Sequence, residues 1–312
     1  MRKDGEDKDM MKKGCCRAIA AALLTCMLAA CGTNVKEEEP MADQNSNVVI
    51  QEVETKNGAM RYFRFGNEKG KKMVLLPGLS LKSVMGSAEL IAKAYGLLAD
   101  DYDVYVFDRL TVFPAAYTVE KMAYDTLHAL HKVGLSNVTL MGVSQGGMIA
   151  QYMAMKDPEL VTGLVLCSTA PEISGHAAQV FEEWKELAQK RDGKGLAESF
   201  GSHVYTPSVY ESMKAAITSM NEGAEEQDYR NFVISIEGTE DFDIVPDLKS
   251  IRCPVYVIGA AEDQVLGVEG SKILMKELGC DGYIYEGRGH GVYDEDPEYL
   301  SRVKAFLDQY AK

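Results

Sequence analysis

The chemistry begins at Ser144, which stands in the run Gly142-Val143-Ser144-Gln145-Gly146-Gly147 between the apolar segments VTLM and MIAQYMAM. A G-x-S-x-G pattern set between a strand and a helix is the context in which a tight turn presents a nucleophilic hydroxyl. Such a turn strains the serine backbone, and the flanking glycines let strand and helix approach without Cβ clashes. The hydroxyl then projects at a helix N-terminus, where the dipole favours developing negative charge. The plainer alternative is a glycine-rich strand-to-helix turn without chemistry.

A serine hydroxyl needs a base, and the base needs an acid to orient it. In the chain order Ser, Asp, His the candidates are Asp263, in AAEDQV after PVYVIG, and His290, in GRGHGVYDEDP after GYIYE. Both lie just past the C-terminal ends of apolar runs, where open α/β sheets place their sites. His128 and His131 fall on a helical segment, and His176 and His203 belong to an insertion with no assigned role. Glu262 competes with Asp263 for the acid, which is better spaced from the strand end. Asp294 and Asp296 read as a loop acid and a helix N-terminal residue before Pro297. Acyl transfer also needs donors to a tetrahedral oxyanion. The Gln145 N–H directly follows the nucleophile, and the Leu79 N–H in Pro77-Gly78-Leu79-Ser80 follows the apolar run 72–76.

These residues require a sheet. Short β-rich runs at 48–54, 61–65, 72–76, 103–107, 138–142, 163–167, 254–259 and 282–286 alternate with helix-period segments at 87–98, 118–133, 146–156, 268–278 and 296–310. Apolar strands buried on both faces and alternating with helices predict a mostly parallel α/β sheet. The first two runs predict an antiparallel edge hairpin turning at Lys56-Asn57-Gly58. Residues 171–245 hold amphipathic helical patches and no convincing strand, which reads as a helical lid inserted into a core of 48–170 and 246–312. Its aromatics and methionines (Phe181, Trp184, Phe200, Tyr205, Tyr210, Tyr229, Phe232, Met213, Met220) could line an apolar acyl pocket or simply dock the insertion. Its Glu182, Glu183, Glu186 and Glu198 could hold a substrate amine or form a solvated face.

The segments LLPGLS, DVYVFDRL, VTLMGVSQGGMIAQYMA, IRCPVYVIGAAEDQV and YEGRGHGVYDEDPEYL together resemble the α/β-hydrolase fold family, in its lidded branch of esterases, lipases, peptidases and C–C bond hydrolases. The resemblance covers roughly residues 48–312. It implies Ser144 as nucleophile, Asp263 as acid, His290 as base, and Leu79 and Gln145 as the oxyanion pair, with no metal or organic cofactor. Two departures stand out. Pro77-Gly78 replaces the family's frequent His-Gly, and Asp108-Arg109-Leu110-Thr111-Val112-Phe113-Pro114 lacks the glycines usual after that strand, so a bulkier loop is expected to narrow the pocket.

The 312 residues carry 33 Lys and Arg against 47 Asp and Glu, a net charge of −14. That argues against a nucleic-acid footprint, which needs a basic face. Residues 1–30 read as a lipoprotein signal peptide: a basic start, an apolar run from Ala18 to Ala30 broken by Thr25, then small residues before Cys31. Cys31 is the expected lipidation site, with acyl chains such as palmitate providing the hold on the extracytoplasmic face of the cell membrane. Residues 31–47 complete a polar, acidic tether. Beyond it, Cys167, Cys253 and Cys280 are an odd number with no zinc-like spacing. Cys167 and Cys253 fall in strand-like runs and read as buried small hydrophobes. The expected activity is hydrolysis of a carboxylic ester, or a related acyl bond, of a small to medium apolar molecule. Amide or peptide hydrolysis, C–C hydrolysis and acyl transfer within the same fold, or a non-catalytic ligand-binding lipoprotein, are the alternatives.

Overall fold

The computed structural model describes residues 48–310, so the signal-like segment, Cys31 and the tether lie outside the described residues. Strands β1 (Gln51–Glu54) and β2 (Ala59–Gly66) form the expected antiparallel hairpin. Its turn closes where the Thr55 amide and hydroxyl both donate to the Gly58 carbonyl, at 2.8 and 2.7 Å. There follow β3 (Lys71–Leu76), α1 (Ala88–Ala94), β4 (Tyr102–Leu110), α2 (Val119–Val133), β5 (Val138–Val143), α3 (Gln145–Lys156) and β6 (Val161–Cys167). Four helices come next: α4 (Gly175–Gln189), α5 (Gly193–Val204), α6 (Pro207–Ser219) and α7 (Glu226–Glu237). The chain ends through β7 (Val255–Ala260), α8 (Val268–Leu278), β8 (Asp281–Tyr285), the one-turn α9 (Val292–Glu295) and α10 (Tyr299–Tyr310).

The eight strands order as β1-β2-β4-β3-β5-β6-β7-β8, antiparallel at the β1 end and parallel from β4 to β8. Period-two alternation explains the two cores. In β3, Val74 and Leu76 face the side covered by α2, α3 and α8, while Met73 and Leu75 face the side covered by α1 and α10. Each helix supplies an apolar stripe with its own stops. In α2, Thr118 caps the Lys121 amide, Met122, Leu127 and Leu130 are buried, and Gly134 ends the helix at φ +83°.

From β3 the chain moves outward to β4, then returns to β5 on the other side of β3. Loops leaving β3 and β5 therefore diverge and leave a crevice at their C-terminal ends, the position where such sheets bind ligands. The four-helix insertion sits over this edge and closes at its neck through an isolated bridge, Glu172 to Asp243. Backbone bonds from Ile173 to Phe242 (3.0 Å) and from Ile244 to Pro171 (2.9 Å) flank it. Cys167 is buried in β6 as expected; Cys253 is not, being half-buried in the loop ahead of β7. All three described cysteines are free thiols, and burial pushes Cys253 and Cys280 up to about 11 and Cys167 to about 12, so they stay protonated near neutrality.

Candidate active site

Ser144 caps α3 with φ +53° and ψ −123°, a region that ordinary residues avoid. What holds it there is a set of backbone bonds on both sides. Its amide donates to the Cys167 carbonyl at 2.9 Å, and its carbonyl accepts from the Gly147 amide (2.9 Å) and the Thr169 hydroxyl (2.7 Å). Gly146 is obligatory for close approach, because a Cβ there would run into the carbonyls of Leu76 and Pro77. The residue is 9% exposed.

Neighbouring ladder bonds continue the same edge outward, Ser168 to Ile258 and Ala261 to Tyr285. Beyond β7 and β8 on that edge, the His290 Nδ1 meets the Asp263 Oδ2 at 2.8 Å, with both side chains almost fully buried. The other carboxylate oxygen, Oδ1, accepts from the amides of Val265 (2.8 Å) and Leu266 (3.0 Å). Burial opposes the charge on Asp263, but the His290 ring and these two amides outweigh it and hold the carboxyl below its ordinary range. An ionised Asp263 orients the ring with Nδ1–H toward itself, leaving Nε2 as the basic nitrogen. Glu262, its rival in the sequence, instead accepts from the Arg288 amide at 3.0 Å.

The loop after β3 comes equally close. A Cβ on Gly78 would sit 3.2 Å from the Ser144 Cβ and 3.8 Å from its Oγ, so Gly78 leaves the space beside the Ser144 hydroxyl open. Leu79 and Gln145 are both buried on either side of Ser144's turn. The Gln145 amide belongs to the first turn of α3, whose N–H groups have no intrahelical acceptor. Its side chain points elsewhere and ties α3 to the insertion, with Nε2 donating to the Ser235 carbonyl (3.1 Å), the Ser235 hydroxyl (2.9 Å) and the Thr239 hydroxyl (2.8 Å).

Arg109 was not foreseen as a site residue. One guanidinium nitrogen donates to both carbonyls of the loop, Pro77 at 2.9 Å and Gly78 at 3.0 Å. Burial lowers its pKa against the opposing pull of Asp108, and its Nε has no partner. Asp108 accepts from the Ser83 hydroxyl (2.6 Å) and the Val84 amide (3.1 Å). Asp108 and Arg109, expected in a loop, belong to the end of β4 and brace the loops around it, and neither residue borders the cavity that this segment was expected to narrow.

That cavity holds about 400 Å³ and is bordered by Gly78, Leu79 and Val143, which adjoin Ser144, while Ser144 and His290 themselves do not border it. It runs under the Val84–Ser87 turn and α1 toward α9 and the start of α10. Of the insertion's aromatics and methionines, Phe200 and Met220 border it. The rest pack the insertion, as where Trp184 stacks at 4.9 Å from Phe200 and 5.9 Å from Phe181. Glu182 and Glu186 pair with Lys185 and Lys190 on the outer face, which leaves them no part in the cavity. Asp294 also departs from expectation. It is not in a loop but in the one-turn α9, half-buried, and burial raises its carboxyl to about 7. Asp296 instead caps the Glu298 amide and pairs with Arg288.

His128, His131 and His176 are surface residues, and His203 bonds back to the Ser199 carbonyl. Among the described residues no group of three His, Cys, Asp or Glu is placed to hold a metal ion, and no helix is long and apolar enough to cross a membrane.

Known proteins are similar along most of this length. The 3-oxoadipate enol-lactonase 2 of Acinetobacter baylyi is 22% identical over 162 residues, which are 52% of this chain and 60% of that protein. The RutD protein of Pseudomonas syringae pv. syringae, provisionally named a carbamate hydrolase, is 26% identical across 74% of this chain and 93% of its own. A solved thermophilic esterase from Thermogutta terrifontis superposes with a TM-score of 0.70 at 21% identity, covering 84% of this chain and all of that one. A family model described as the alpha/beta hydrolase fold matches residues 73–297, so the chain belongs to the alpha/beta hydrolase family.

Proposed function

We propose that the protein is a serine hydrolase that cleaves a carboxylic ester, or a related acyl bond, of a small to medium apolar substrate. The observation that carries this reading is the buried 2.8 Å bond from His290 to Asp263 on the same sheet edge as the strained Ser144. In this reading the Ser144 Oγ attacks the substrate carbonyl as the His290 Nε2 takes its proton. Amides of Leu79 and Gln145 hold the tetrahedral oxyanion, and Asp263 stabilises the imidazolium. Collapse expels the leaving group, which takes the proton from His290. Water then repeats the sequence on the acyl-enzyme, restoring Ser144 and releasing the acid. The mostly apolar walls of the cavity beside Gly78 suit the acyl part. The relatives' names, enol-lactonase, carbamate hydrolase and esterase, all denote hydrolysis of an acyl-type bond.

Incubation of the 32–312 fragment with a fluorophosphonate probe tests this. Labelling of the wild type and none of Ser144→Ala is the expected result. A folded wild type that takes no label removes the hydrolase reading and favours a ligand-binding lipoprotein. The lipid anchor is a separate part of the proposal: mass spectrometry of the membrane fraction should find an acylated Cys31 as the N-terminus, and any other N-terminus discards it.

A further inference from the structure

One end of the cavity carries a charge that the acyl-transfer chemistry does not use. Asp294 is half-buried and borders the cavity. Its Oδ2 accepts the Tyr205 hydroxyl at 2.8 Å, and no Lys, Arg or His pairs with it among the described residues. The other charged groups at the cavity are engaged: Asp296 with Arg288 at 3.0 Å, and Lys82 with the Glu222 carbonyl at 2.9 Å. Around Asp294 the wall is aromatic, with Tyr95, Tyr293 and Tyr299. The rings of Tyr293 and Tyr299 meet edge-on at 6.4 Å, and the buried Tyr299 hydroxyl lies against the Cys167 thiol.

A carboxyl facing an apolar space is costly as an anion unless a cation joins it. Tyrosine faces attract cations through the ring quadrupole, most strongly where water is excluded. A hydroxyl ligand would use the carboxyl but not the rings; an ammonium group uses both. We propose that this end of the cavity is a subsite for an ammonium group of the substrate, with Asp294 as its counter-ion and Tyr95, Tyr293 and Tyr299 as its aromatic wall. The subsite rests on the hydrolase reading only in that Gly78, which borders the same cavity, lies directly against Ser144, so a molecule reaching past Gly78 can present its carbonyl to Ser144 and its cation to Asp294. Binding requires the ionised carboxylate. Tyr205 favours that form, while burial and the adjacent Glu295 oppose it, with Tyr293 and the Cys167 thiol as the other titratable neighbours.

The test compares two p-nitrophenyl esters of equal shape, one with a trimethylammonium and one with a tert-butyl group at the end of the same acyl chain. Several chain lengths are run against the wild type and Asp294→Asn. At some length the wild type should favour the cationic ester in kcat/KM by about tenfold or more, as expected for a charge-assisted contact. That ratio should fall toward one in Asp294→Asn, and in the wild type it should decline as the pH drops below about 7. Calorimetry with n-hexyltrimethylammonium on Ser144→Ala, with and without Asp294→Asn, reads the subsite without catalysis. If neither ester is turned over but the cation binds in an Asp294-dependent way, the subsite stands and the hydrolase reading falls. Ester turnover with no preference at any length, together with no Asp294-dependent binding heat, overturns the subsite and leaves the hydrolase reading intact.

Discussion

Replacing Arg109 by methionine removes the brace behind the oxyanion loop while keeping most of the side chain's volume. The guanidinium makes two bonds, to Pro77 and Gly78, at 2.9 and 3.0 Å. Bonds to a charged donor contribute about 1.5–3 kcal/mol each, but a buried charge and an unpartnered Nε also disappear. The net destabilisation is therefore only about 1–3 kcal/mol, and the protein should remain folded. The larger effect falls on the reaction. With both carbonyls released, the Leu79 amide between Gly78 and Ser80 is no longer fixed, and loss of one oxyanion donor costs on the order of 10²–10³ in kcat. Because that donor acts mainly in the transition state, KM should stay within about threefold while kcat falls by about 10- to 1,000-fold. Arg109→Lys, which keeps the charge but not the fork, should lie in between. Initial rates on p-nitrophenyl butyrate separate kcat from KM, and urea unfolding monitors the fold. A folded Arg109→Met with unchanged kcat, or one whose loss lies wholly in KM, would refute the bracing role.

Asp263→Asn should lower kcat by roughly 10³–10⁴, because the neutral amide no longer fixes the His290 tautomer; esterase assays and circular dichroism distinguish this from unfolding. Gln145→Leu removes four side-chain bonds, to Ser235 and Thr239. It should cost about 2 kcal/mol and speed amide exchange in α7, read by hydrogen-exchange mass spectrometry. Asp294, with a carboxyl raised to about 7, holds its proton in the fold where the unfolded chain has lost it. Stability should therefore fall as pH rises from about 4 to about 7 and level off above. The upper bound is about 4 kcal/mol, lessened by the surface it shares with the cavity. Urea midpoints compared near pH 5 and pH 8 should show a flatter slope in Asp294→Asn; equal slopes in the two proteins contradict it.

What could be read in the sequence was what local pattern controls. The elbow around Ser144 is a strand, a turn and a helix in one short stretch of chain, and its glycines declare the close packing. Asp263 and His290 could be placed because each follows an apolar strand directly, and a parallel sheet brings strand ends to one edge. Arg109 escaped because its partners lie 32 and 31 residues away in sequence. Adjacency showed only a loop short of glycine, and the inference of a narrowed pocket followed from volume without direction. Asp294 escaped for a related reason. Its surroundings come from α9, Tyr205 and the cavity, whereas its place in GRGHGVYDEDP after the strand reads as loop. A single carboxyl among Val292, Tyr293 and Tyr299 was the signal that could have found it.

The insertion follows the same logic, with a consequence for access to the site. Its helical periodicity was visible, but periodicity identifies a buried stripe and not what covers it. Residues of α5 and α7, and those just after them, are bonded to the Ser144 elbow, to the loop after β4 and to the segment that carries His290. Ser235 and Thr239 hold Gln145, and Asn231 accepts from the Phe113 amide and donates to the Thr111 carbonyl. At the end of α5, Val204 accepts from Gly291 (2.7 Å), Thr206 donates to Glu295, and Glu295 in turn accepts from Gly289. Swinging the whole insertion away would break all of these, including those beside His290, and would dismantle the preorganisation on which oxyanion stabilisation depends. On the opposite side, Phe200 and Met220 face the Val84–Ser87 turn and α1 across the cavity, near an exposed bond from Lys82 to the Glu222 carbonyl. Entry along α1, past the Lys82 bond, requires none of the bonds beside Ser144 and His290 to break and is the route expected for substrate.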